Sequence, residues 1–103
     1  MNDKKSIQNE INIEIDEEIG QGIYSNLAII SHSQSEFVID FVRIMPGLPK
    51  AKVKSRIILT PEHAKRLLLA LKDNIQKFES QFGTINVTEI KGMPLNFGGK
   101  IEA

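Results

Sequence analysis

His32 and His63 are the two imidazoles of the 103-residue chain, and it has no cysteine. An imidazole works as a general base when a carboxylate orients it. Glu36 and Asp40 follow His32 closely enough to face it across a hairpin. His32, Glu36 and Asp40 are therefore the one candidate catalytic set, although a solvated histidine at a strand end is the simpler account. Ser31 and Ser33 flank His32, but adjacent side chains on a strand point to opposite faces, and no Gly-x-Ser-x-Gly elbow is present. The absence of cysteine removes thiolate nucleophiles, disulfides, iron–sulfur clusters and zinc fingers.

Metal and phosphate chemistry find little support. His32 and His63 have no His-x-x-x-His or acidic cluster to join them. Asp16-Glu17-Glu18 lacks the alternating oxygen ligands and central glycine of a calcium loop. Gly20-Gln21-Gly22 has neither a third glycine nor a following Lys-Ser/Thr. No cofactor and no metal are expected, and the chain is expected not to be an enzyme.

Charge offers a second kind of chemistry. Arg43, Lys50, Lys52, Lys54 and Arg56 form a stretch with no acid between Asp40 and Glu62. A basic ribbon of that kind could track a nucleic-acid backbone. Against it stand an overall net charge of +0 and the placing of the nearby Phe37 and Phe41 in the core, which leaves no stacking platform. The balance conceals an asymmetry. Residues 1–40 hold two basic and eight acidic side chains, a net of −6, and residues 41–103 hold eleven basic and five acidic, a net of +6. That split favours packing the halves on each other, within a chain or between chains.

The elements that must carry these residues are legible from periodicity. Ile11, Ile13 and Ile15 alternate with polar residues and predict a first strand; Gly20 and Gly22 then predict a turn or bulge. A second strand is expected over 24–32, with Leu27 and Ile29 on one face and Ala28 and Ile30 on the other. After the polar turn at Ser31–Ser35 comes a third over 36–44, with Phe37, Ile39 and Phe41 opposite Val38, Asp40, Val42 and Ile44. Met45-Pro46-Gly47-Leu48-Pro49 stops that ladder. A fourth strand over 51–59 is expected to turn Val53, Ser55, Ile57 and Leu59 inward and Lys52, Lys54 and Arg56 outward, where cations keep an edge from pairing with strangers.

Thr60-Pro61-Glu62 is a helix start and Gly83 a stop, so a helix is expected to about Phe82. Leu68, Leu71, Ile75, Phe78 and Phe82 fall within about 40° of Ala64 on a helical wheel. Leu69 lies about 140° away, among Lys65, Lys72 and Gln76. Leu69, with Val38, Val42 and Ile44 on a strand face that is also apolar, makes a candidate oligomer or protein-binding surface. A short fifth strand fits 84–91. Residues 1–10 and the Gly/Pro-rich 92–103 read as a flexible start and a flexible or docking tail around one domain, 11–91. No apolar run matches a signal peptide or a membrane span, so a soluble cytoplasmic protein is expected.

Tyr24-Ser25-Asn26, His32-Ser33, Glu36-Phe37, Asp40-Phe41, Ser55-Arg56-Ile57, Thr60-Pro61 with Ala64-Lys65, Phe78-Glu79 and Phe82-Gly83 together resemble a bacterial family of about a hundred residues classed as a domain of unknown function. The resemblance covers roughly residues 22–85 and implies no catalytic residue. The order of elements is similar to that of the SecB export chaperone, which implies subunits pairing through sheets and helices into dimers or tetramers. The expectation is an α+β fold: a four-stranded antiparallel meander sheet followed by one long amphipathic helix packed on it, SecB-like and oligomeric. The expected function is a non-enzymatic binding or adaptor protein, chaperone-like, holding a polypeptide partner on apolar sheet or helix surface. The alternative is nucleic-acid binding through the 43–56 hairpin.

Overall fold

The computed structural model describes residues 10–88. One helical turn, α1 (Glu17–Gly20), precedes three strands, β1 (Leu27–His32), β2 (Phe37–Arg43) and β3 (Lys52–Leu59), and a long helix, α2 (Pro61–Phe82). The strands make one antiparallel sheet in the order β1-β2-β3. Each ladder joins neighbours in sequence, and β2 is central.

Side chains close both ends of the first hairpin. At the turn, Ser33 Oγ accepts from the backbone N–H groups of Ser35 and Glu36 (3.1 and 3.3 Å), the local bonding that suits serine to turns. At the open end, Asn26 Nδ2 donates to the Ile44 carbonyl (3.0 Å) while Asn26 Oδ1 accepts from the Ile44 N–H (2.8 Å). The amide copies a peptide group and extends the ladder beyond the strand. Ser25 Oγ reaches the Val42 carbonyl (3.0 Å), and the Arg43 guanidinium sits 5.6 Å above the Tyr24 ring. The strand expected from residue 24 therefore starts as backbone ladder at Leu27, because its first residues are held by side chains.

Register decides which residues share a face, since directly opposed residues point the same way. Ala28, Ile30 and His32 oppose Phe41, Ile39 and Phe37, which in turn oppose Ser55, Ile57 and Leu59. Ile29 and Arg56 flank Asp40 on the other face. The β2–β3 register shifts between Phe41 and Val42, where Val42 opposes Val53 and Lys54 is the extra residue. Such a bulge flips the alternation beyond it. Val53 thus parts from the inward set expected for it and joins Val42.

Two expected strands are corrected. Ile11–Asp16 carries no ladder, and Ile11, Ile13 and Ile15 are 82%, 88% and 70% exposed. Alternation prepares a segment for pairing, but a partner edge must make the strand, and among the described residues no strand pairs with it. The sheet among the described residues accordingly has three strands, not four. The turn expected at Gly20 and Gly22 is α1, capped by Asp16 Oδ1, which accepts from the Ile19 N–H (3.0 Å); Gly22 follows with φ of +80°. Residues 84–88 form no strand. The rest of that expected fifth strand, and the segments 1–9 and 92–103, lie outside the described residues.

α2 begins and ends as its sequence requires. Thr60 Oγ1 accepts from the His63 N–H (3.2 Å) and Pro61 holds the first turn. Gly83, at φ of +102°, donates its N–H to the Glu79 carbonyl, and the Glu79 carboxylate accepts from the Ile85 N–H (2.9 Å). Glu62–Arg66 and Asp73–Lys77 pair at 2.8 and 3.0 Å. The helix does not press onto the sheet as expected. None of its residues is buried, and Leu71, Phe78 and Phe82 are 55%, 48% and 67% exposed.

Removing the Thr60 hydroxyl leaves the first-turn N–H groups without their cap. Thr60→Ala is expected to lower stability by about 1 kcal/mol, and Thr60→Ser to recover most of it, read from urea unfolding followed by helical circular dichroism.

Candidate functional site

Among the described residues, a groove lies between the sheet and the helix. One face of the sheet supplies Ala28, Ile30, Phe37, Ile39, Phe41 and Leu59; the first half of α2 supplies Pro61, Ala64, Lys65, Leu67, Leu68 and Leu71. They enclose a groove of about 570 Å³. Its floor is set by the β1–β2–β3 register and its wall by the helical stripe of period 3.6. Lys65 is the single charged residue in the lining. Ile30 and Leu68 remain 41% and 56% exposed, so their apolar surface faces solvent rather than packing.

The opposite face carries the strongest electrostatic contact. Arg56 Nε donates to Asp40 Oδ1 at 2.6 Å and Nη2 to Oδ2 at 2.8 Å, a bidentate pair. Asp40 is 1% exposed, so its charge needs this partner. The Arg56 hydrogen bonds hold the Asp40 carboxyl below its ordinary pKa; burial pushes the other way and loses, and the charge of Arg56 adds to the lowering. The same bonds raise the Arg56 pKa.

The sequence-predicted residues divide between these surfaces. His32 lies on the groove side and its ring stacks on Phe37 with centroids 5.3 Å apart. Asp40 lies on the other side, tied to Arg56, and Glu36 sits in the hairpin turn. The three carboxyl and imidazole groups therefore do not converge. Of the basic stretch, Arg56 serves Asp40 and Arg43 covers Tyr24, while Lys50, Lys52 and Lys54 are exposed. Val42 is buried, Val38 and Ile44 are half-buried, and Leu69 is exposed on α2 outside the groove. The residues that line the groove were readable only as core. Their signal was the same-face set Ile30, Phe37 and Phe41 combined with a helical stripe that no other described residue buries. Among the described residues no three His, Cys, Asp or Glu side chains gather as a metal site requires, and no helix is long and apolar enough to cross a membrane.

Many of the residues that carried the family resemblance are joints of this framework: Ser25 and Asn26 at the open end, Ser33 at the turn, Asp40 with Arg56 across two strands, Thr60 and Gly83 at the ends of α2. A family model described as "Protein of unknown function (DUF3467)" matches residues 1–87. The chain belongs to the DUF3467 family. The match to DUF3467 spans the whole sheet, the groove and α2. The searches of curated proteins and of solved structures returned no match.

The Asp40–Arg56 pair gives stability a defined acid limit. A carboxyl whose folded pKa is depressed stabilises above its unfolded pKa, and the contribution disappears as pH falls through the folded value. Urea midpoints are therefore expected to fall on acidification through and below the ordinary carboxylate range. Asp40→Asn should be less stable near neutrality, and its deficit against the parent should shrink as the pH is lowered.

Proposed function

We propose that this DUF3467 protein is a non-enzymatic binding protein that holds polypeptides, in the manner of a chaperone or adaptor, with the groove receiving an apolar stretch of the partner. The observation that carries the reading is the groove itself, about 570 Å³ with a lining apolar apart from Lys65. Small-molecule sites place several convergent polar groups to fix orientation. This lining has one, on a flexible stem, so it suits side chains that need burial rather than a ligand that needs aiming. Each Leu, Ile or Phe side chain fully buried contributes about 1.5–3 kcal/mol, so a few anchors suffice for reversible capture after ordering costs. The succession of antiparallel strands and a long helix, similar to that of SecB-like chaperones, is in keeping with such a role.

The test is a titration of the full chain against a labelled, permanently unfolded polypeptide, followed by fluorescence anisotropy. Ile30→Glu and Leu68→Glu are expected to weaken binding at least about tenfold, since a charge in an apolar site is desolvated without a partner. Circular dichroism should show both variants folded. Leu69→Glu, off the groove, should bind like the parent. Binding that is unchanged in the groove variants, or absent from the parent, ends this reading.

A further inference from the structure

We propose that the segment Glu10–Asp16 is the missing fourth strand, and that it is completed between chains by adding to the free edge of β3 in a second copy. Among the described residues β3 pairs with β2 on one side only, so its other edge presents N–H and C=O groups along Lys52–Leu59 that no described strand takes up. Such an edge is a template for another strand.

The two partners match on both faces. In a strand, Ile11, Ile13 and Ile15 share one face, and Glu10, Asn12, Glu14 and Asp16 share the other. β3 turns Ile57 and Leu59 to the groove side and Arg56 to the opposite side, with Lys54 at the bulge. Placing the isoleucines on the groove side extends its apolar floor. It also sets the acids on the side of Arg56, near Lys54 at the bulge, while Lys52, opposite Arg43, falls on the groove side. The alternative alignment would put isoleucines against charge and acids over the groove. The edge of β1 offers no such complement, having His32 as its one ionisable residue.

A second copy of this chain suits the edge as occupant, because each copy carries both the alternating acidic segment and the basic β3 edge that complements it. Reciprocal exchange of the segment between two copies closes with twofold symmetry and uses both free β3 edges.

The reading is tested on full-length protein by sedimentation equilibrium with reciprocal charge variants. The parent is expected to be dimeric or a higher even-numbered oligomer. Glu10→Lys with Glu14→Lys, and separately Lys54→Glu, should each weaken self-association at least about tenfold by opposing like charges. An equimolar mixture of the two variants should restore parental association, because each strand then meets an edge of opposite sign. A monomeric parent, which would leave the β3 edge to some other polypeptide, overturns the proposal. So does a pair of variants that associate like the parent, or a mixture that associates no better than its components. The groove titration uses Ile30 and Leu68, so its failure and this one are separately readable.

Discussion

The bidentate contact between Asp40 and Arg56 fixes the register on which the rest of the molecule depends. A slip of one residue between β2 and β3 would carry Arg56 to the groove side and leave a buried carboxylate alone, which is far costlier than the pair is favourable. With the pair in place, Ile57 and Leu59 must face α2, and the bulge at Lys54 must absorb the mismatch toward the strand end. The groove is apolar because the ion pair has been kept to the far side of the sheet. A charge contact thereby determines where hydrocarbon is presented.

A second constraint is the shortage of interior. Among the described residues the buried apolar ones are Ile39, Val42 and Leu59. Central strand β2 supplies two of them, as geometry requires of the one strand with neighbours on both sides. Few other described residues are shielded. Native domains hold together by a small surplus of burial over chain entropy, and three side chains supply little of that burial. Ile11, Ile13, Ile15, Leu68, Leu71, Phe78 and Phe82 are all chemically suited to an interior and sit outside it. Their exposure gives the reading of this chain as a binding protein its physical basis.

The sequence was informative where the cause is local. Thr60, Pro61 and Gly83 delimit α2 because capping and positive φ are decided within a few residues. The same is true of Ser33 at the hairpin and of the two-sided alternation in β1 and β2. It was less informative where the cause is a partner. Ile11–Asp16 has a strand's alternation and no ladder, and the apolar stripe of α2 has a core-facing pattern and no cover. Arg56 read as a solvated edge cation because nothing in its own neighbourhood names Asp40, sixteen residues away, as its acceptor. The groove was invisible for the same reason: each wall looked like one side of a closed core.

The sequence-adjacent pairing of the strands also orders events during synthesis. The loops joining them are short, so closing them costs little chain entropy. The sheet can therefore be complete before α2 has emerged. The floor of the groove is laid down first, and its wall arrives after another 22 residues, roughly 1–4 s later at about 5–20 residues per second. During that interval Ile30, Phe37 and Phe41 face solvent with no helix opposite them, so each newborn chain briefly shows an apolar floor without its wall.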